Sequence, residues 1–456
     1  MKNMSLKEIA QAVSGQYFGD TAKLSQEVSG VTIDSRKVEE GFLFVPIRGE
    51  RVDGHSFIPS VMQAGALCTL SEQPLENADF SYILVGSCKQ ALKDLAEHYR
   101  KALDIKVVGI SGSVGKTSTK EMIASVLSQK YNVLKTAGNF NNEIGLPLTI
   151  FNIRDCHQVA VLEMGISNFG EMHRLTKMAQ PDVCVITNIG LCHLENLGDR
   201  DGILKAKTEM FDFMQKDAKI ILNGDDDKLS TVKEVKGIAP KFFGLSGEKN
   251  AFADNIRSLS LKGIACSIHL GDESFDVVIP IPGHHMVYNA LAGALVGQEL
   301  GLTIDEIKSG IEALVPVAGR NNLIETDSLM IIDDCYNANP ISTKASLDVL
   351  ALADNRKVAV LGDMFELGEN EKQLHFGVGE HAAKNNIDLI VCVGALSQNT
   401  ADGAKNGGAI VLHFATKQDF LAEAKTILKK GDAVLVKASN GMAFKEIVEN
   451  LRELKL

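Results

Sequence analysis

The sequence lacks an excess of basic residues, a long apolar run and an export signal. Lysine and arginine number 47 against 58 acidic residues, a formal net charge of −11, whereas nucleic-acid-binding proteins normally present a basic face. No stretch approaches the ~20 apolar residues of a membrane span. The first residues, MKNMSLKEIA, have no apolar core of a signal peptide. These absences argue against a nucleic-acid-binding protein and against membrane insertion or export.

Cysteine is scattered through the sequence rather than paired. None of the eight cysteines belongs to a CxxC pair; they stand at Cys68, Cys88, Cys156, Cys184, Cys192, Cys266, Cys335 and Cys392. This distribution favours reduced thiols over a disulfide framework or a zinc site. Together with the missing export signal, it predicts a cytoplasmic protein.

The length and patterning of the chain predict an α/β protein of three domains. At 456 residues the chain is too long for one ordinary core. From Lys106 onward, apolar strands such as KVVGIS and VAVLEMG alternate with amphipathic helical stretches, as buried parallel strands do. We predict a small mixed α/β domain over 1–104, a central P-loop ATPase-like domain with a parallel sheet over 105–314, and a Rossmann-like α/β domain over 315–456.

The stretch GISGSVGKTS predicts a phosphate-binding loop. It follows the predicted strand KVVGIS and opens a predicted helix, the setting in which a P-loop forms. Small residues let backbone N–H groups point at phosphate oxygens, while the lysine reaches the β- and γ-phosphates and the threonine hydroxyl binds Mg²⁺. The strict pattern has a glycine where this sequence has Ile110, so the loop is a variant. The expected ATP contacts are Gly112, Ser113, Val114, Gly115, Lys116, Thr117 and Ser118.

Polar residues at other predicted strand ends are candidates for a metal site. Glu163 ends the strand VAVLE, and His193 follows the strand VITNIG. Because ligands gather at the carboxyl ends of parallel strands, we expect both side chains near the phosphate loop, with Thr117. The acidic run Asp225–Asp227 follows a further strand; a solvated turn and a phosphate or metal role both remain open for it.

Three further features have a functional and a plain structural interpretation. Lys207 lies on a predicted helix, where a solvated lysine is the default. The stretch GNFNNEIGLPL is rich in amides, and Asn139 and Asn142 either orient an uncharged or zwitterionic substrate group or belong to a simple loop. Arg320 stands at the second domain boundary, where an arginine can reach a γ-phosphate as domains close.

Taken together, these motifs resemble the Mur ligases. The resemblance rests on GSVGKTSTKEM, GNFNNEIGLPLT, EMGISNFGE, ITNIGLCHLENLG, AKTEM, YNALAG and DDCYNANPIS, with VTIDSRKVEEGFLFVPIRGERVDGHSF near the N-terminus. It spans essentially the whole chain. The stretches GNFNNEIG and CYNANP resemble the branch that joins D-alanyl-D-alanine to UDP-N-acetylmuramoyl-tripeptide, whereas folylpolyglutamate synthases share the P-loop.

The resemblance implies an ATP-dependent amide ligase of cell-wall synthesis that works through an acyl phosphate. It implies Mg²⁺ as cofactor, UDP-N-acetylmuramoyl-tripeptide and D-alanyl-D-alanine as substrates, and a monomer. The third residue of the tripeptide, lysine or diaminopimelate, stays open. The roles implied are catalytic for Lys116, His193, Lys207 and Asn142; metal-binding for Thr117, Glu163, His193 and a CO₂-carbamylated Lys207; ATP-binding for Asn289, Arg320, Asp334, Tyr336 and Asn337; and substrate-binding for Asp34, Ser35, Arg36, Asp53, Gly54, His55, Asn139 and Asn339.

Other functions fit the sequence less well. A GTPase would ordinarily carry an NKxD-type guanine-reading motif, which the sequence does not contain, and a P-loop kinase leaves the third α/β domain unexplained. A non-catalytic nucleotide-binding module leaves Glu163, His193 and Lys207 without a purpose. Another amino-acid ligase of the Mur or folylpolyglutamate-synthase type is the nearest alternative.

Overall fold

The computed structural model describes all 456 residues and contains three β-sheets of five, nine and six strands. Helices and strands are interspersed along the chain, and from Lys219 to Ile279 five strands follow one another without an α-helix between them. The α/β fold class predicted from the sequence is therefore confirmed. None of the helices combines the length and apolarity that crossing a membrane requires.

The five-stranded sheet lies in the N-terminal part of the chain, with strand order β1-β5-β4-β3-β2. Strand β1 pairs antiparallel with β5, and the other neighbours are parallel. The first helix begins at a capping box in which Ser5 and Glu8 each bond the other's backbone N–H. The elements are α1 (Leu6–Ala12), β1 (Gln16–Phe18), β2 (Gly30–Thr32), β3 (Phe42–Phe44), α2 (Ile58–Gln63), β4 (Cys68–Ser71), β5 (Tyr82–Leu84) and α3 (Cys88–Lys101).

The nine-stranded sheet is parallel around the glycine loop and antiparallel at its far end. Its helices and strands are β6 (Lys106–Ser111), α4 (Lys116–Leu127), β7 (Val133–Lys135), α5 (Gly145–Ile150), β8 (Val159–Glu163), α6 (Glu171–Ala179), β9 (Val183–Ile186), α7 (Leu194–Leu197), α8 (Arg200–Thr208), β10 (Lys219–Asn223), β11 (Lys241–Gly244), β12 (Ala251–Ser258), β13 (Ile264–Leu270), β14 (Glu273–Ile279), α9 (His285–Glu299) and α10 (Ile304–Glu312). Strands β6, β8 and β7 are parallel neighbours, and β12, β13 and β14 form antiparallel pairs. Buried and partly exposed residues alternate along β13, which is typical of a sheet with one covered face.

The six-stranded sheet is a doubly wound sheet with strand order β15-β16-β20-β17-β18-β19. Only β15 is antiparallel to its neighbour. The pairing of Asp333 with Val436 brings the carboxyl ends of β16 and β20 side by side. The elements are β15 (Asn322–Glu325), β16 (Met330–Asp333), α11 (Pro340–Ala351), β17 (Lys357–Gly362), α12 (Glu371–Lys384), β18 (Leu389–Val393), α13 (Ser397–Asn406), β19 (Val411–Phe414), α14 (Lys417–Ile427), β20 (Ala433–Lys437) and α15 (Lys445–Glu453).

The chain folds as two compact units. The first comprises Met1–Ser111, Tyr131–Val185 and Lys207–Lys219, and it holds the N-terminal sheet together with β6, β7 and β8. The second comprises Gly112–Lys130, Ile186–Ala206 and Ile220–Leu456, and it holds the glycine loop, α4, β11 to β14 and the whole C-terminal sheet. The glycine loop and the C-terminal sheet therefore belong to the same unit.

Candidate active site

The predicted phosphate loop connects β6 to α4, and two of its glycines cannot be replaced without strain. Gly112 has φ +151°, and a Cβ there would lie 1.9 Å from Oγ1 of Thr187. Gly115 has φ +84° and is the N-cap of α4. Ile110 is fully buried in β6. The strand thus continues through the position at which the strict pattern has glycine, which explains the variant.

The loop that follows β9 holds the phosphate loop through several hydrogen bonds. The Asn188 side chain accepts from the N–H of Val114 at 2.9 Å and donates to the carbonyl of Val114 at 2.9 Å. The N–H of Ser113 donates to the Asn188 carbonyl at 3.0 Å, and the Thr187 hydroxyl donates to the Val114 carbonyl at 2.7 Å. Nζ of Lys116 donates back to the Gly112 carbonyl at 2.8 Å. The sequence analysis missed Asn188, although its place two residues after β9 was an available signal.

A cavity of about 270 Å³ opens beside this loop and is lined entirely by the second compact unit. It combines loop residues with residues from α9 and the C-terminal sheet. Six residues predicted to bind ATP line it: Val114, Gly115, Ser118, Asn289, Arg320 and Asp334. The remaining lining is Thr119, Thr187, Asn188, Asn223, Phe243, His285, Tyr288, Asn321, Ile341, Ser342, Ala345, Ser346 and Lys437.

Two of the predicted ATP-binding residues contact α4 directly. The Thr119 hydroxyl donates to Oδ1 of Asn289 at 2.9 Å. Nη2 of Arg320 lies 3.5 Å from Oγ1 of Thr117, and its guanidinium stacks 4.0 Å above the ring of Tyr336. The arginine is therefore held against the first turn of α4.

Asp334 is the centre of a buried polar network at the carboxyl ends of β16 and β20. Its Oδ2 accepts from Nζ of Lys437 at 2.5 Å and from Oγ of Ser346 at 2.5 Å. Its Oδ1 accepts from the N–H of Asn321 at 3.1 Å. Lys437 is 3% exposed and also donates to the carbonyl of Asn337 at 3.0 Å. The sequence analysis missed Lys437, which directly follows the apolar run AVLV.

Glu163 and Lys207 lie in the first compact unit. Glu163 ends β8 and is 2% exposed; its Oε1 accepts from Nδ2 of Asn141 at 2.9 Å, and its N–H donates to the Thr136 hydroxyl at 2.9 Å. Asn141 was not singled out among the amides of its loop. Lys207, in the last turn of α8, is 1% exposed. This burial is evidence against the default interpretation of a solvated lysine.

His193 lies in the second compact unit. It has φ +50°, is the N-cap of α7 and places its Nδ1 3.3 Å from Oε2 of Glu366. In the whole chain, no group of three or more His, Cys, Asp and Glu side chains is arranged to hold a metal ion.

Most of the predicted asparagines take part in turns and caps. Oδ1 of Asn142 accepts from the N–H groups of Ile144 and Gly145 at the start of α5. Asn339 is the N-cap of α11 and accepts from the N–H of Ser342 at 2.9 Å. Oδ1 of Asn337 accepts from the N–H of Asn440. Asn139 is exposed. These contacts fix the shape of the loops in which the asparagines lie.

The acidic run after β10 is occupied by internal contacts. Asp226 accepts from the N–H of Ile189 at 2.8 Å, and Asp227 forms an ion pair with Arg200. Asp225 accepts from the hydroxyl of Tyr288 at 3.1 Å, and burial together with this carboxylate raises the pKa of Tyr288 to about 12. The run therefore positions neighbouring loops, a role that neither sequence interpretation described.

The predicted UDP-sugar loops in the first unit are two short turns of the same design. Asp34 caps the turn Ser35–Lys37, and its bonds with the side chain and the backbone of Arg36 hold its pKa at about 2. Asp53 caps Gly54–Phe57, and bonds from the backbone and the ring of His55 hold its pKa at about 2. Gly54 has no room for a side chain, because a Cβ would lie 2.7 Å from the N atom of Ile47.

A glycine loop between a strand and a helix, with a cavity that reaches the C-terminal sheet, defines a P-loop α/β protein. Three family models match in succession: the Mur ligase family catalytic domain over 27–100, the Mur ligase middle domain over 110–297, and the Mur ligase glutamate ligase domain over 319–440. The chain belongs to the Mur ligase family. The succession of the three models confirms the predicted three-domain architecture.

Similar proteins of this family cover almost the whole chain. A Bacillus subtilis (strain 168) protein named UDP-N-acetylmuramoyl-tripeptide–D-alanyl-D-alanine ligase is 38% identical over 463 residues, which cover 100% of both chains. A crystal structure of MurF from Acinetobacter baumannii has a TM-score of 0.91 and 32% identity and covers 99% of each chain. A MurF ligase from Thermotoga maritima in complex with ADP has a TM-score of 0.82 and 31% identity, covering 93% of this chain and 97% of its own.

Proposed function

We propose that this protein uses ATP to join D-alanyl-D-alanine to UDP-N-acetylmuramoyl-tripeptide, giving the pentapeptide precursor of peptidoglycan, ADP and phosphate. The names of the full-length relatives support the substrates, and the ADP complex of the Thermotoga maritima relative supports ATP. The observation that carries the proposal is the single cavity shared by the glycine loop, Asn289, Arg320 and Asp334.

The first step transfers the γ-phosphoryl group of ATP to the tripeptide carboxylate. A carboxylate oxygen attacks the γ-phosphorus, the bond to the bridging oxygen breaks, and ADP leaves. Both reactants are anionic, so the transfer needs cationic groups at the phosphates. Lys116, in the loop, and Arg320, against Thr117, supply that charge.

The second step forms the peptide bond. The amine of D-alanyl-D-alanine attacks the acyl carbon, and the tetrahedral intermediate then expels phosphate, which is a better leaving group than the original carboxylate oxygen. The amine loses a proton to solvent or to a neighbouring base. We assign the amine to the C-terminal domain, 315–456, near Tyr336, Asn337 and Asn339. Water must be kept from the acyl phosphate, which favours reaction in a closed arrangement of domains.

We assign Mg²⁺ to Thr117 and Glu163. Magnesium prefers oxygen donors and is commonly held by one or two protein groups plus the phosphates of the substrate. When bound, it neutralises phosphate charge. His193, a nitrogen donor, fits this ion less well and belongs to its surroundings.

We propose a carbamate on Lys207. Lys207 is 1% exposed, and the positive charge of an ammonium group would repel a metal cation bound beside it. Reaction of the neutral amine with CO₂ forms an N–C bond and releases a proton, and the product presents anionic oxygens. Such oxygens suit a hard cation such as Mg²⁺.

The remaining assignments concern substrates and setting. We assign the UDP-sugar to domain 1–104, at Asp34–Arg36 and Asp53–His55, and ATP to domain 105–314. We assign Asn139 and Asn142 to orienting substrate.

All eight cysteines are free, which suits a reducing compartment, and we propose a cytoplasmic enzyme. We propose a monomer, to be checked by light scattering.

The direct test measures phosphate release with UDP-N-acetylmuramoyl-tripeptide, with and without D-alanyl-D-alanine. We expect release, and a product heavier by one D-alanyl-D-alanine minus water, only when both substrates and ATP are present. Tripeptides ending in lysine and in diaminopimelate are compared side by side to identify the third residue. Release with a folate and glutamate instead would favour the folylpolyglutamate-synthase alternative.

A further inference from the structure

Asn188 makes contacts that no sequence motif assigns to it. Its amide group satisfies both backbone polar groups of Val114: the carbonyl oxygen accepts from the N–H, and the NH₂ group donates to the C=O, each at 2.9 Å. Its own backbone carbonyl accepts from the N–H of Ser113 at 3.0 Å. One residue therefore bonds three consecutive peptide groups of the phosphate loop, those between residues 112 and 115.

The backbone on both sides of Asn188 is itself held in place. The N–H of Ile189 donates to Asp226 at 2.8 Å, and the Ile189 carbonyl accepts from Nε of Arg200 at 2.8 Å. The carbonyl of Thr187 accepts from Nδ2 of Asn223 at 3.0 Å. The side chain of Asn188 therefore projects from a fixed backbone, so its bonds restrict the phosphate loop.

A restricted loop matters because a phosphate loop binds through backbone N–H groups at defined positions. Gly112 and Gly115 both have positive φ, and glycine loses more conformational freedom on ordering than any other residue. A loop with two such glycines is costly to order when the nucleotide binds, unless another part of the protein orders it beforehand. Val114 lies between these two glycines, so a restraint on Val114 restricts the backbone on both sides of it.

We propose that Asn188 is a positioning residue that holds the phosphate loop in its nucleotide-binding shape. It acts through Val114, whose backbone N–H and C=O its side chain bonds. The inference rests on the proposed function in that it names the ligand as a nucleoside polyphosphate. It predicts that Asn188 affects binding of the phosphates and not of the base and sugar.

The test compares ADP with adenosine as ligands of the full-length protein, by calorimetry or by competition, in wild type, Asn188→Ala and Asn188→Asp. Losing two hydrogen bonds of ordinary strength is expected to weaken ADP binding about tenfold. Adenosine carries no phosphate, and its affinity should stay within about twofold of wild type. The KM for ATP should rise by a similar factor, with a smaller change in kcat. Asn152→Ala, which removes an exposed asparagine with one bond to Leu148, is the matched control and should leave both affinities unchanged.

Hydrogen exchange supplies a readout that needs no nucleotide. In the ligand-free protein, the amide of Val114 should exchange faster in Asn188→Ala than in wild type, because its acceptor is the side chain that is removed. The amide of Ser113, whose acceptor is the backbone carbonyl of residue 188, and the amides of α4 should keep their rates. Asn188→Asp retains the acceptor for the Val114 N–H but places a carboxylate oxygen against the Val114 carbonyl, so the second bond is lost. This variant replaces Asn188→Ala in both measurements if the alanine variant does not fold. An unchanged ratio of ADP to adenosine affinity in a folded variant overturns the inference. Failure of the wild type itself to bind ADP instead overturns the proposed function.

Discussion

Replacing Lys437 with methionine should strongly destabilise the C-terminal part of the protein. The side chain is 3% exposed, and its Nζ lies 2.5 Å from Oδ2 of Asp334, which is itself 9% exposed. Methionine fills most of the same volume but leaves the Asp334 carboxylate with only the Ser346 hydroxyl and the Asn321 N–H. Removing one partner of a buried pair costs about 3–5 kcal/mol, because the other charge stays desolvated.

The assay is thermal unfolding followed by calorimetry, with hydrogen exchange to locate the change. In a domain of 150–250 residues, 1 kcal/mol lowers Tm by roughly 2–4 °C, so the affected transition should fall by roughly 6–20 °C. Exchange should rise in β16 and β20, the strands that carry the pair. Lys445→Met is the control: its side chain is 83% exposed, its partner is Glu449, and the change should stay within about 0.5 kcal/mol.

A double variant separates stability from function. Replacing Asp334 and Lys437 together by leucine and methionine removes the unpaired charge, so stability should largely recover. ATP-dependent activity should remain lost, because Asp334 lines the proposed nucleotide cavity. A Lys437→Met protein that unfolds within about 1 kcal/mol of wild type would refute the argument that this pair is a desolvated unit.

The other predictions concern catalysis and acid stability. Lys116→Ala should reduce kcat by roughly 10²–10³ without lowering Tm, since it removes one preorganised charge at the phosphates. A much smaller loss of kcat would count against the assignment of the phosphate loop. Thr117→Val should raise the Mg²⁺ concentration needed for half-maximal rate. Lys207→Ala and Lys207→Arg should be equally poor, and a small carboxylate added to the buffer should partly restore the alanine variant; near-native turnover of the arginine variant contradicts the carbamate. Because the folded-state pKa of Asp53, about 2, lies below the usual value of about 3.9, its contribution to stability is present above pH 4 and lost as pH falls toward 2. Unfolding followed from pH 5 to pH 2 should show this loss in wild type and a flatter profile in Asp53→Asn.

Features that depend on a few neighbouring residues could be predicted from the sequence. The glycines of the phosphate loop are required by local backbone geometry, with φ +151° at Gly112 and +84° at Gly115, and so they leave a pattern in the sequence. The capping box of α1 is equally local. The antiparallel strands β12–β14 were not predicted. Residues of β13 alternate between buried and partly exposed, and this alternation is a weaker sequence signal than the continuous apolar runs of the fully buried strands β8 and β20.

Side-chain partners could not be predicted in the same way. The sequence left two interpretations open for Asn142, a substrate-orienting amide or a loop residue, because a stretch of amides and glycines also favours turns. In the structure its side chain bonds the N–H groups that begin α5. Assigning a role to such an asparagine requires knowing where its amide points. The site residues therefore remain proposals that the variants above are designed to test.

The pairing of Asp334 with Lys437 shows why position is easier to predict than identity. The two residues are 103 positions apart, and they meet because β16 and β20 are parallel neighbours whose carboxyl ends lie side by side. The rule that ligands gather at the carboxyl ends of parallel strands indicates that residues just after such strands are candidates. It cannot say which two strands are adjacent, since four helices and three other strands separate these two in the sequence. Lys437 became visible as part of the site only when the strand order was known. By the same reasoning, the last residue of each buried parallel strand and the residue directly after it are the first places to look for the functional groups that a motif search misses.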